Sequence, residues 1–303
     1  MTAAVEGALH IAPAADLNRS LLRWADIRQR LGLGLLSIPA LLIVGLVVLA
    51  PSGWLAWLSA FDASGAPTTA NFARLLRPSY IDSFLTTIQI SGIVTIVCVL
   101  LGYPVAYLLA QVSARAAQVL LLFVILPFWT SVLVRTYAWL VLLQRQGLIN
   151  TWLINMGVIQ EPIPLVHNTL GTIIGMTHVM LPFLILPLYA SMKAIDPSLL
   201  RAAANCGASP SQAFRQVFLP LSMPGLAAGF GLTFVLCLGF FLTPALLGGG
   251  RVAMWSMQIA DNISRYGNWG AASALGVALL IVTGLILWIL RAVFKVSKFE
   301  GAH

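Results

Sequence analysis

Long apolar runs separated by short basic or polar segments set the organisation of the chain. Six of them, at approximately 33–50, 84–111, 117–143, 169–192, 224–247 and 271–293, are candidates to cross a hydrocarbon core, which takes about 20 helical residues. Lipid offers no hydrogen-bond partners, so each run must satisfy its own backbone as a helix. The pattern therefore predicts an all-α integral membrane protein with six transmembrane helices. The first run is short and is followed by Pro51, Gly53, Trp54 and Trp57; tryptophans in such a place suit an interfacial belt. Pro39, Pro104, Pro127, Pro182 and Pro187 fall inside runs, where neighbouring helices can re-satisfy the freed carbonyls.

The polar segment between the fourth and fifth runs, residues 193–223, carries its own structural signals. Asp196 before Pro197 is a helix start, a capping carboxylate followed by proline at the first turn. Three consecutive alanines, Ala202, Ala203 and Ala204, favour a helix, and Gly207 supplies its stop. Ser209 and Pro210 repeat the start signal, so a second short helix is expected to end near Leu219, before Pro220. The small residues leave one face of the first helix nearly bare. Two readings of that face stand open: a surface for close approach by another protein, or a helix packed back onto its own bundle.

Composition and charge narrow the class. Apolar residues make up 59% of the chain and charged residues 9%, against roughly 25% charged in ordinary globular proteins. The net charge of +8 does not point to nucleic acid, because the basic residues lie between the apolar runs. With the N-terminus inside, Arg19, Arg23, Arg28, Arg30, Arg115, Lys193, Arg201, Arg215, Arg291, Lys295 and Lys298 fall on the cytoplasmic side. Arg74, Arg77, Arg145, Arg251 and Arg265 fall outside. The asymmetry predicts both termini in the cytoplasm. The expected division is a cytoplasmic tail over 1–32, a transmembrane domain over 33–295 and a second cytoplasmic tail over 296–303. The stretch before the first run does not fit a cleavable signal peptide. Cys98, Cys206 and Cys237 lack metal or redox spacing.

Catalytic chemistry does not emerge. The sequence contains no GxxxxGK[ST] phosphate loop, and Gly248–Gly250 reads as a flexible outer turn. His10, His167, His178 and His303 are scattered, and no nucleophile–base pairing stands out. No catalytic, cofactor-binding or metal-ligating residue is assigned. Arg135 is the one arginine near the interior of a run; it is either an anchor whose side chain snorkels outward or part of a solute path. No Asp or Glu lies in the middle of a run, which disfavours a carboxylate proton relay. Trp129, Tyr137 and Trp139 are aromatic faces for cation–π contact with an amine, or interface anchors.

The segment Gly207-Ala208-Ser209, with Leu219-Pro220-Leu221 and Met223-Pro224-Gly225 after it, resembles the EAA motif of the membrane subunits of binding-protein-dependent ABC importers. Pro127-Phe128-Trp129, the run Leu133 to Leu143, Gly147-Leu148-Ile149-Asn150, Leu181-Pro182-Phe183, Thr243 to Gly249 and Asn268-Trp269 are similar to the spermidine/putrescine branch. The resemblance covers about residues 30–295. It implies a type I importer permease bundle in a bacterial inner membrane, with a cytoplasmic coupling helix that docks on a separate ATPase. It further implies two ATPases, a second homologous permease in a heterodimer, and a periplasmic binding protein that delivers the solute. Ala202, Ala203, Gly207 and Ala208 fall in the small-residue stretch of the motif, whereas Arg201 stands where the family has its leading glutamate. The implied solute is a polyamine; alternatives are an opine or amino-acid derivative, or an ion-coupled secondary transporter.

Overall fold

The computed structural model describes residues 14–61 and 65–293. Most of the expected tail over 1–32 precedes the side chains described, and the tail over 296–303 lies outside the described residues. The chain divides into two units, one up to Leu55 and one from Ala56 onward. The first consists of helix α1 (Ala14–Ala60), which runs on into the second and contains both Pro39 and Pro51. The expected end near residue 50 is therefore displaced by ten residues. A single proline removes one backbone bond, and the Ser52 hydroxyl adds one back by donating to Val48 O at 2.7 Å.

The second unit continues with α2 (Ala70–Ala73), a 3₁₀ turn over Arg74–Leu76, and the long α3 (Pro78–Gln111). Next come α4 (Ala114–Ile125), a 3₁₀ turn at Leu126–Trp129, α5 (Val132–Leu142) and α6 (Leu148–Asn155). After α7 (Thr169–Lys193) the chain forms α8 (Pro197–Asn205) and α9 (Pro210–Ala213). A π turn, Phe214–Phe218, joins α9 to α10 (Leu219–Leu238). The order closes with α11 (Leu242–Leu247), α12 (Trp255–Ser264) and α13 (Trp269–Val293).

Five stretches are long and apolar enough to cross a membrane: Ser37–Ala60, Pro78–Gln111, Thr169–Lys193, Pro210–Leu238 and Trp269–Leu290. The pair Ala114–Trp129 and Val132–Leu142, bent by 97° at the break, makes a sixth if the two count as one span. The expected third run is thus two helices, not one. The fifth run, expected to reach residue 247, ends at Leu238 and is followed by the separate α11. The second short helix does not stop before Pro220. It continues into the membrane because the π turn shifts the ladder: Leu219 N–H bonds Phe214 O, five residues back, just where Pro220 removes a donor.

The core of this unit is the contact of α3, α7 and α10. Ile90, Val94 and Cys98 of α3 meet Met176, Met180 and Leu184 of α7 and Cys237 of α10. Glycines let the backbones approach. A Cβ on Gly229 would lie 2.9 Å from Leu184 O, and one on Gly225 would collide with the Ser191 side chain. This is small-residue packing at the four-residue spacing that membrane helices use. Helix α12 was not anticipated. It docks on the start of α3 through three polar rungs: Trp255 N–H to Thr87 Oγ1 at 2.8 Å, Gln258 Nε2 to Ser83 Oγ at 2.9 Å, and Asn262 Nδ2 to Tyr80 OH at 3.1 Å.

Candidate functional site

Two places concentrate the candidate residues. The first is the segment between α7 and α10. Asp196 Oδ1 accepts the Ser198 N–H at 2.8 Å and caps α8. The Ser198 backbone N–H, followed by its hydroxyl and by the charge of Arg201, holds this carboxyl below its ordinary value. At the other end Gly207 takes φ +83, the left-handed conformation that ends helices. Ala208 N–H reaches Ala203 O at 3.1 Å and Gly207 N–H reaches Ala204 O at 2.9 Å, which is a Schellman closure. Ser209 and Gln212 then form a reciprocal capping box for α9. Every turn of this loop is satisfied within itself.

Aromatic packing ties the loop to the bundle. The rings of Tyr107 and Phe218 stand 5.1 Å apart edge to face, and those of Tyr107 and Phe214 5.5 Å apart. Tyr103 OH lies 2.9 Å from Ser222 Oγ, joining α3 to α10. Leu200 packs on the cluster of Ala106, Leu188 and Phe218. Between α8 and this aromatic wall is an open cleft of about 320 Å³ lined by Leu200, Ala204, Ala208, Pro210, Phe214 and Phe218, among others. The small residues thus divide: Ala204 and Ala208 line the cleft, whereas Arg201, Ala202 and Gly207 are exposed and Ala203 is half-buried. Space around Gly207 is open.

The second place is the contact of α5 with α7 and α11. Arg135 and Trp139 share one face of α5 at four-residue spacing. The Trp139 ring meets His178 of α7 at 5.7 Å, edge to face. Arg135 Nε and His178 Nδ1 are both buried without a hydrogen-bond partner. Nearby, Thr136 Oγ1 lies 3.0 Å from Thr243 Oγ1, fastening α5 to α11. Trp129 is 85% exposed and Tyr137 50% exposed, away from this cluster. Of the four aromatic and basic candidates, the structure brings Arg135 and Trp139 together and leaves Trp129 and Tyr137 apart. His178 joins them, which sequence reasoning missed because its neighbours come from another helix.

An array of membrane-length helices joined by a capped loop between α7 and α10 defines a multi-pass membrane protein. Over residues 99–296 the chain matches the family described as "Binding-protein-dependent transport system inner membrane component". It belongs to that family and is a multi-pass inner-membrane permease subunit of an ABC importer. Among its relatives, the spermidine/putrescine transport system permease protein PotB of Haemophilus influenzae is 37% identical over 222 residues, 73% of this chain and 78% of that protein. The inner membrane ABC transporter permease protein YdcU of Escherichia coli is 34% identical over 85% of this chain and 88% of its own length. A crystal structure of a bacterial ABC transporter that imports the acidic polysaccharide alginate superimposes with a TM-score of 0.69 at 20% identity, covering 91% of this chain and 99% of that one. A further structure of an alginate transporter, in complex with a periplasmic protein, gives a TM-score of 0.71 at 18% identity. At these identities the likeness speaks for the fold.

Proposed function

We propose that this subunit imports a polyamine, paired with a second, different permease and driven by separate ATPase subunits that bind the α8–α9 loop. The observation that carries the coupling role is the loop's construction. It is rigid in itself, exposed at Arg201, Ala202 and Gly207, and continuous through the π turn with α10 in the bundle core. A push on α8 is therefore delivered to a membrane helix rather than absorbed. The polyamine reading rests on the names of relatives at 36% and 37% identity. In this reading the loop and both termini face the cytoplasm, residues 62–80 and 144–167 face outside, and a periplasmic binding protein delivers the solute there. Trp129 and Tyr137 offer exposed aromatic faces to amines. The chain itself is non-catalytic and carries no cofactor.

A second reading has one observation in its favour. The unpaired Arg135 guanidinium suits a carboxylate-bearing solute such as an opine or amino-acid derivative. Reconstitution with the cognate ATPase, the second permease and the binding protein separates the two. Nucleotide-dependent uptake of labelled spermidine or putrescine is expected, and competition by carboxylated solutes alone would overturn the polyamine assignment. Nucleotide-driven uptake by this subunit in the absence of an ATPase would refute the coupling role.

A further inference from the structure

The half-buried Arg135 guanidinium finds no acceptor among the described residues. Buried donors without partners are rare, because each one loses its water without compensation. The Arg135 side chain makes no hydrogen bond or ion pair among the described residues, and of its donors the Nε is covered. The only ion pair among the described residues is Arg265–Asp261, at the C-terminal end of α12. None of the helices packed on α5, namely α6, α7 and α11, carries an Asp or Glu. The 9 acidic residues of the chain all fall outside 83–160 and 162–195. Hydrocarbon supplies no counter-charge, and a polycationic solute is repelled by a guanidinium.

From this juxtaposition we infer that Arg135, with His178 behind it, binds a carboxylate that the second permease subunit inserts against α5. The inference rests on the reading of the assembly as a two-permease importer of cations. Guanidinium and carboxylate match as a two-bond fork. A buried pair of this kind contributes little net stability against an apolar contact, but it penalises mispairing heavily, so it sets which partner binds and in what register. A second copy of this chain could not fill the site, since it has no acidic residue in the corresponding stretch. The second permease must then be a different chain with an Asp or Glu inside one of its spans.

The test uses the complete transporter in liposomes, with membrane abundance and co-purification of the two permeases measured beside uptake. Arg135→Glu is expected to lower both co-purification and uptake by at least about tenfold, and Arg135→Gln to do so less severely. Reversing each intramembrane acid of the second permease to Lys or Arg in turn should yield one variant that restores Arg135→Glu to within a few-fold of wild type. Loss of accumulation of Arg135→Glu does not obscure the result, because Arg135→Gln and the reversed partner acid paired with wild-type Arg135 probe the same contact. If no reversal rescues, or Arg135→Gln co-purifies and transports normally, the ion pair is overturned. So it is if this subunit transports as a homodimer. Failure of the wild-type complex to move polyamines would strike the substrate reading alone, because co-purification and charge-reversal rescue still decide the ion pair. A rise in KM for a carboxylated solute in Arg135→Gln, with intact pairing, would assign the site to solute and overturn the inference.

Discussion

The α8–α9 loop and the α5–α7 contact differ in one physical respect. In the loop, Asp196, Gly207, Ser209 and Gln212 satisfy the backbone from residues no more than five positions away. At the α5–α7 contact, Arg135 Nε and His178 Nδ1 are covered but unmet. A segment that closes its own hydrogen bonds can act as a rigid body pressed by a partner. A buried cluster that cannot close its own requires a partner to be complete. Under the proposed function the first transmits force and the second recognises a group, and substitutions in each should fail differently.

The largest expected effect is in the loop. Ala203→Asp places a charge on a half-buried position where an ATPase would press, and a charge trapped in such a contact costs about 3–5 kcal/mol. Gly207→Val forces a β-branched residue into the left-handed region at φ +83, at about 1–2 kcal/mol, and opens the Schellman closure. Both should reduce nucleotide-driven uptake by about a hundredfold for the first and about tenfold for the second. ATPase co-purification should fall in parallel while the protein still accumulates in membranes. Normal uptake by Ala203→Asp at wild-type abundance would remove the loop from coupling.

Trp139→Ala sharpens the contrast from the other side. It strips the ring that covers His178, and transport is expected to fall by about tenfold with ATPase association unchanged. The paired measurement is what matters. If Trp139→Ala released the ATPase, or Ala203→Asp left it bound, the division between a transmitting and a recognising region would collapse.

How far each region was legible follows from the same difference. Local closure leaves local marks, and Asp196-Pro197, Gly207 and Ser209-Pro210 announced the first short helix and the start of the second within a residue or two of where they lie. Five of the six expected crossings were likewise legible as single helices, because length and apolarity alone mark a span. What escaped is decided between distant segments. The 97° bend before α5 and the end of α10 at Leu238 go with the packing of α5 on α11 and the Thr136–Thr243 hydrogen bond. Their two residues stand more than a hundred positions apart, at 136 and 243. Helix α12 is set by Thr87, Ser83 and Tyr80 on α3, hydroxyls at and just before the start of an apolar run that carry no local signal of a partner. Proline misled in the opposite direction: Pro51 and Pro220 suggested ends, but a helix already running through lipid-type sequence continues past them. His178 sat in view as an isolated histidine, and only the meeting of α5 and α7 gave it company.

Arg201 is a sharper and smaller probe. It is exposed on α8, at the position where the motif resemblance would put a glutamate. If an acidic residue of the ATPase meets it, Arg201→Glu should lower uptake several-fold, and reversal of that acid should restore it. Silence of Arg201→Glu would mean that the contact surface of the loop begins beyond α8's first turns.

The smallest effect belongs to the cap at Asp196. Its carboxyl lies below its ordinary value because the Ser198 N–H, and secondarily the Ser198 hydroxyl, bond the charged form. A group depressed in the folded protein supports the fold above its unfolded value and ceases to do so as pH falls through the folded value. The supporting form is therefore fully present at neutral pH and is lost only below about pH 4. Two expectations follow from that sign. Between pH 6 and 8, uptake by wild type should show no inflection attributable to this residue. Asp196→Asn, whose amide oxygen accepts the same bond without charge, should transport as wild type, whereas Asp196→Ala should lose roughly twofold as the first turn of α8 frays. The residue is wholly exposed, so the effect is confined to the loop and should appear in uptake with membrane abundance unchanged. A loss shared equally by Asn and Ala would instead assign Asp196 a charge contact with the ATPase, and the loop would then depend on its partner as the α5–α7 contact does.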